Sequence, residues 1–259
     1  MILYNDLIKA TEDGLVNMKE SQDGLRIFKY SLEAVKLKVW NDVTRAARGI
    51  IFDKNGNLIA KAFNKFFNLS EMPETQIENL PNEPFTVEEK LDGSLVLAFY
   101  YEDTWRTATM QSFESEQAIK AREILGNSLL GENQNYTYIF EVICEESRVV
   151  VRYDEEFVCL LSVFDKNGNE LDREEVDDIA KSLGFRRPKI YDYKDVLNLP
   201  FFDNHEGYVL RYTSGLRVKV KSPAYVRVHR LLEYVSPKRV IELIRGLDES
   251  GETVESVAE

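Results

Sequence analysis

The sequence predicts an α+β domain of antiparallel sheets flanked by helices. Three observations carry this: apolar runs of strand length bounded by turn residues recur along the chain, a few helix-period segments lie scattered among them, and no strand–helix–strand alternation develops. The 259 residues, 44% of them hydrophobic, can bury a large core, and 13 Gly with 7 Pro exclude collagen-like or low-complexity chains.

Residues 1–20 place Ile2, Leu3, Leu7 and Ile8 at a rough helical period before Glu12-Asp13-Gly14, predicting a capping helix that stops there. From Leu25 the pattern turns strand-like in LRIFKYS and then GIIFDKNGNLIAKAF, where Asn55-Gly56 between two apolar runs predicts a tight hairpin. The same DKNGN turn recurs within SVFDKNGNEL at 162–171. A calcium loop is the wrong reading of it, because glycine stands at loop position four instead of six and no glutamate stands at twelve. Further strands are predicted over 85–89, 94–101, 104–110, 136–144, 157–164, 206–211 and 216–221. Helices are predicted over 115–125, 173–183 and 237–247, the last capped by Ser236 with Pro237 in its first turn. No Pro/Ser/Gly-rich linker divides the chain, and the acidic tail 248–259 is expected to fray.

Cys144 and Cys159 form no CxxC pair and sit in apolar runs, so two buried thiols in a reducing compartment are expected. The first residues carry acids where a signal peptide would carry basic and apolar regions, and no apolar run reaches membrane-span length, which predicts a cytoplasmic protein. The net charge of -12 argues against a protein that coats nucleic acid through bulk charge.

Local chemistry concentrates in five places. Glu89-Lys90-Leu91-Asp92-Gly93-Ser94 sets a lysine at the end of one strand before an Asp-Gly turn into the next, a pinned position for a side chain that could also stand in an ordinary hairpin. Glu206-Gly207-Tyr208-Val209-Leu210 precedes Lys219-Val220-Lys221, whose lysines share one strand face and call for an anion. Glu141 interrupts the apolar run YTYIFEVIC; buried there, a carboxylate calls for a ligand hydroxyl or a basic partner, the alternative being an edge-strand glutamate that points at water. Arg45-Ala-Ala-Arg48-Gly49 and Asn64-Lys65-Phe66-Phe67-Asn68 add bases beside hairpins.

In this order, R-G, K-F-F-N, K-x-D-G-S, F-E, E-G-Y-V-L and K-V-K resemble the ATP-dependent RNA ligases of the covalent nucleotidyltransferase superfamily, in particular the T4 RNA ligase 1 type, over about 48–229. The R-G-I and K-F-F-N-L blocks separate that group from DNA ligases and mRNA-capping enzymes, the rival readings beside a catalytically silent RNA-end-binding module. The resemblance implies the ligase adenylylation fold, ATP with Mg²⁺ or Mn²⁺, and RNA carrying 5′-phosphate and 3′-hydroxyl ends. It implies that Lys90 is the nucleophile that becomes adenylylated. Glu89, Leu91 and Asp92 would hold the nucleotide with the motif loop, Arg48 and Lys65 its phosphates, Glu141 the ribose, and Lys219 and Lys221 the α-phosphate. Glu206 would hold the metal, and Tyr225 follows the last motif. One departure stands in TATMQSFESEQA, where the family has a lysine before the serine and this chain has Ala108, Met110 and Gln111.

Elementary chemistry agrees with these roles. Lysine attacks only as the neutral amine, its ordinary pKa is about 10.4, and nearby cations lower it while neutralising charge on the transferring phosphoryl group. Arg211, Arg217, Lys219, Lys221, Arg227, Arg230, Lys238 and Arg239 form a basic stretch containing one acid, Glu233, against 25 bases and 44 acids elsewhere. RNA is expected on that stretch, with Tyr225 and His229 for stacking or hydrogen bonding. The expected organisation is a ligase domain over 1–229 and a short helical extension over 230–259, a monomer of minimal form without a C-terminal substrate domain.

Overall fold

Apolar strands, several buried on both faces, build three sheets, which a computed structural model describes for residues 4–129, 131–147 and 149–234. The chain opens with α1 (Tyr4–Glu12), β1 (Val16–Glu20), β2 (Arg26–Tyr30), the short helices α2 (Leu32–Lys36) and α3 (Asp42–Ala46), β3 (Arg48–Phe52), β4 (Leu58–Ala60) and β5 (Phe67–Asn68). Next come β6 (Phe85–Lys90), β7 (Ser94–Tyr101), β8 (Thr104–Thr109), α4 (Glu116–Leu125), β9 (Thr137–Ile143) and β10 (Phe157–Phe164). The described chain closes with α5 (Arg173–Leu183), β11 (Ile190–Tyr191), β12 (Gly207–Tyr212), β13 (Arg217–Lys221) and α6 (Pro223–Tyr234). The sheets run β1-β2-β3-β4, β10-β9-β7-β8 and β11-β6-β12-β13-β5, antiparallel throughout except for the β13–β5 pair.

Strand β7 shows how the layers form. Val96 and Ala98 face a core shared with Ala121 and Leu125 of α4 and Val176 and Ala180 of α5. Leu97 and Phe99 face the opposite way, against Ile27, Ile51 and Ala60 of the first sheet. Both faces are dry, so an alternating strand reads as one apolar run. Truncating Leu97, fully buried between the two sheets, to alanine would cost about 2–5 kcal/mol. On the outer face of the first sheet, Leu7 and Ala10 of α1 pack on Phe28, Ile50 and Phe52. The third sheet has its own core around Val87, Tyr208, Leu210 and Val218.

The predicted strands and the helices α4 and α5 form, Ser115 and Asp172 accepting at their N-caps from Ala118 and Glu175 N–H groups. Two expectations are corrected. Helix α1 stops at Glu12 as its stop signal requires, but 16–20 forms β1, whose apolar face is only Val16 and Met18, too short an alternation to register. The 53–57 turn is wider than a two-residue hairpin, because the Asp53 carboxylate accepts the N–H groups of Asn55 and Asn57 at 2.8 Å each and the turn closes from Asp53 N–H to the Asn57 carbonyl. Asp165 builds the second DKNGN turn identically, accepting from Asn167 and Asn169 at 2.8 Å. The helix expected over 237–247 and the fraying tail lie outside the described residues, and α6 runs across the 229/230 boundary expected between domain and extension.

Candidate active site

The third sheet brings together what the sequence separates by more than a hundred positions. Strand β6 pairs antiparallel with β12, Lys90 opposite Gly207, and β12 pairs with β13, Gly207 opposite Lys221. Close approach at this corner needs glycine: Gly207 has φ +144°, and a Cβ there would stand 2.1 Å from the Val220 carbonyl oxygen. Glu206 thereby lies beside both lysines. Its carboxylate, 2% exposed as a residue, accepts from Lys90 Nζ at 2.7 Å and from Lys221 Nζ at 3.1 Å.

Lys90 lines a cavity of about 230 Å³ between the second and third sheets. Arg48, Glu89, Leu91, Glu141 and Lys219 also line it, joined by Phe66 and Met110. Glu141 accepts the Gly93 N–H at 3.2 Å. A Cβ on Gly93 would stand 2.4 Å from the Val142 carbonyl oxygen, so the second residue of the Asp-Gly turn has to be glycine for that strand to be reached. Burial, with Glu206 nearby, pushes the Glu141 carboxyl up to about 7 against the opposing pull of Lys90 and Arg48. Lys219 is drawn down to about 6, first by burial and then by Lys65, Arg48, Lys90 and Lys221. Its ammonium lies over the Phe66 ring at 4.9 Å. Arg48 stacks on the same ring at 5.4 Å and is likewise lowered by burial.

The remaining predicted residues stand around this cavity. Asp92 lies beneath it, 4% exposed, accepting from the N–H groups of Val150 and Val151 at 2.7 and 2.8 Å and from the Tyr225 hydroxyl at 2.8 Å. Lys65 faces an adjoining cavity of about 420 Å³, caged by Tyr30, Trp40 and Phe67 with its Nζ 5.0–5.7 Å from the ring centres. Burial lowers its pKa. Phe63, Phe66 and Arg217 line both cavities and so form their common wall. Lys221 faces a groove of about 440 Å³ on the α6 side of β13.

Three features escaped the sequence reading. Arg211 and Arg217, counted there among bases for RNA, converge on the carboxylate of Glu170, which also accepts from Ser162. Tyr153 accepts the Asp92 N–H at 3.0 Å. Lys29 of β2 donates to Gln111 at 2.9 Å, bringing an ammonium to the segment where the expected lysine is replaced. Spacing alone gave no signal for any of them, since their partners lie tens of residues away and carry no shared motif.

Residues 46–225 match the model of the T4-type-1 RNA ligase family, described as RNA ligase. The chain belongs to this RNA ligase family. A Thermovibrio ammonificans protein bearing the RNA ligase name is 32% identical over 207 residues, covering 74% of this chain and 54% of that relative. An RNA ligase of Rhodothermus phage RM378 is 22% identical over 87% of this chain and 68% of its own length. The chain thus spans about half the length of the first relative. Among solved structures, an Aquifex aeolicus protein named as an ATP-dependent DNA ligase superposes with TM-score 0.63 at 18% identity, over 95% of this chain and 72% of that one. A variant RNA ligase of Naegleria gruberi, solved with ATP and Mn, gives TM-score 0.52 at 19% identity over 66% of this chain and 58% of its own. At such identities the shared property is the fold, and it is the mixed α+β ligase fold the sequence predicts. Among the described residues no helix is long and apolar enough to cross a membrane.

Proposed function

We propose that this chain is an ATP-dependent RNA ligase that activates an RNA 5′-phosphate through a lysyl-AMP and joins it to a 3′-hydroxyl. The observation that carries the reading is the position of Lys90 on the wall of a cavity, its Nζ 2.7 Å from Glu206, with Arg48 and Lys219 lining the same space. A nucleophile, its proton-accepting neighbour and two phosphate-binding bases are thereby assembled on rigid strands.

In the first step the Lys90 ammonium gives up a proton, with Glu206 the nearest acceptor, and the free amine attacks the α-phosphorus of ATP. The new P–N bond forms as the bond to the β-phosphate oxygen breaks, pyrophosphate leaves with that electron pair, and the second amine proton is released. Arg48 and Lys219 neutralise charge on the α-phosphoryl oxygens, where most of the catalysis of phosphoryl transfer lies. Glu141 faces the ribose, and its raised pKa lets it donate as well as accept. The RNA 5′-phosphate then takes the AMP from Lys90, and a 3′-hydroxyl displaces AMP from the activated end.

Among the described residues no group of three His, Cys, Asp or Glu forms a metal cage. Glu206 is a single carboxylate, which suits Mg²⁺ or Mn²⁺ held partly by nucleotide phosphates. Bound there, the ion would supply Lewis-acid neutralisation of the phosphoryl oxygens. Incubation with α-labelled ATP and denaturing electrophoresis tests the reading. Covalent label is expected with ATP and not with GTP, absent in Lys90→Ala, and transferable to 5′-phosphorylated RNA in preference to DNA; label retained in Lys90→Ala would overturn it.

A further inference from the structure

We propose that the groove between β13 and α6 holds the RNA strand that carries the 5′-phosphate, and delivers that phosphate to the adenylylated Lys90 past Lys219. The proposal deepens the ligase reading and rests on it. The groove, of about 440 Å³, is lined by Lys219, Lys221, Tyr225, His229 and Arg230 among others, and no carboxylate of the described residues lines it. In a chain of net charge -12, an acid-free basic groove is where a polyanion can be drawn in against overall repulsion.

The groove adjoins the nucleotide cavity through one side chain. Lys219 lines both spaces, so an anion entering from α6 meets the same base that faces the α-phosphoryl site. The approach is also chemically apt. Lys90 and Lys219 stand on strands β6 and β13, separated by β12, and Lys219 is the lining residue that the cavity of Lys90 shares with the groove. In-line displacement requires the attacking oxygen on the side opposite the departing nitrogen.

The groove can also hold a nucleotide beyond its phosphate. The rings of Tyr225 and His229 lie 5.7 Å apart with planes 30° from each other; Tyr225 is buried, so the half-buried His229 one turn on is the ring a base would meet. Lys221 covers the Tyr225 ring at 4.9 Å. Base stacking beside a backbone-tracking cation is the usual arrangement for single-stranded nucleic acid. Lys219, drawn down to about 6 among cations, would regain its proton once two phosphates lie against it.

The step balances as follows. A non-bridging oxygen of the RNA 5′-phosphate forms a P–O bond to the adenylyl phosphorus while the P–N bond to Lys90 breaks. The pair left on Nζ is protonated from solvent to the amine, and a second proton restores the ammonium that pairs with Glu206. The product is RNA capped by AMP through a pyrophosphate linkage.

Two variants test the groove, Arg230→Glu, which reverses its charge, and Val226→Trp, which fills it from α6, each checked for folding by thermal unfolding. The protein is charged with labelled ATP, freed of nucleotide and chased with 5′-phosphorylated or 5′-hydroxyl oligoribonucleotide, while RNA affinity is read by fluorescence anisotropy. We expect Lys90 labelling to persist and AMP transfer and RNA affinity to fall at least about tenfold in both variants, with the 5′-hydroxyl strand a poorer competitor in the parent. Parental transfer and affinity in both variants would overturn the proposal. Loss of labelling itself in folded variants would also overturn it, assigning the groove to the phosphates of ATP. Absence of labelling in the parent would instead defeat the ligase reading, and the anisotropy arm would still decide whether the groove binds RNA.

Discussion

The Tyr225 hydroxyl donates to Asp92 Oδ1 at 2.8 Å, tying helix α6 to the turn after Lys90 across 133 positions of chain. Asp92 Oδ2 takes the N–H groups of Val150 and Val151, so one buried carboxylate gathers three segments around Lys90. Tyr225→Phe removes one of these bonds without leaving a hole. Its expected cost is about 1.5–3 kcal/mol, a bond to a charged acceptor, read as a lowered urea midpoint at unchanged slope.

Gly93→Ala should be more damaging. Its Cβ would meet the Val142 carbonyl oxygen at 2.4 Å and the tip of the Ile143 side chain at 2.7 Å; the side chain can turn aside, but the carbonyl cannot withdraw without parting β7 from β9. A loss of about 3 kcal/mol or more is expected in the same denaturation experiment, together with loss of Lys90 labelling.

The pH dependence of stability separates two buried groups of opposite sign. The unfolded chain keeps Lys219 protonated up to the ordinary lysine range, whereas the folded protein keeps it so only below about 6. Between those limits the unfolded state binds the extra proton, and stability rises with pH by up to about 1.4 kcal/mol per unit. Glu141 behaves inversely. Folded, it holds its proton up to about 7, well above the carboxylate range of the unfolded chain, so its contribution falls as pH rises toward that value. Urea midpoints from acid to alkaline pH should therefore show Lys219→Met losing the rise above about 6, and Glu141→Gln losing the fall that ends at about 7. Difference curves without these slopes would contradict both assignments.

Lys29 offers a test of charge placement. It faces Arg48 across the β2–β3 pair and donates to Gln111, and its pKa is lowered by burial and by Lys19 and Arg48. Lys29→Met is expected to slow Lys90 adenylylation about 10–100-fold with little change in thermal stability. Adding Gln111→Lys to that variant, which returns an ammonium to the same neighbourhood, should recover part of the rate; single-turnover labelling measures both.

Strands covered on both faces were legible because their apolar runs are long and cleanly bounded, as at Ser94–Tyr101 and Phe157–Phe164. The five-residue helices α2 and α3 were not, since one turn and a half carries too little periodicity to register. Helix α6 starts with Ser222 accepting from Tyr225 N–H and Pro223 in the first turn, the very signal read fourteen positions later at Ser236-Pro237. Its β-branched content hid it. In the site, Lys90, Glu206 and Lys221 could be read from motif order and strand parity, and the fold brings their charged ends together. The clasp of Arg211 and Arg217 by Glu170 could not, because opposite charges 41 and 47 positions apart become partners only through sheet packing. It withdraws two arginines from the basic stretch that was expected to meet RNA.

The pairing of Lys90 with Gly207 makes catalysis a test of folding fidelity. Side chains alternate along a strand, so a slip of one position between β6 and β12 would turn Lys90 to the other face while preserving most of the ladder. Such a molecule would keep much of its strand content, but it would turn the fully buried Val87 out of the third sheet's core and leave no amine at Glu206. If Lys90 is the adenylylated residue, as proposed, the fraction of a preparation that takes up AMP would count the molecules whose β6–β12 ladder closed in register.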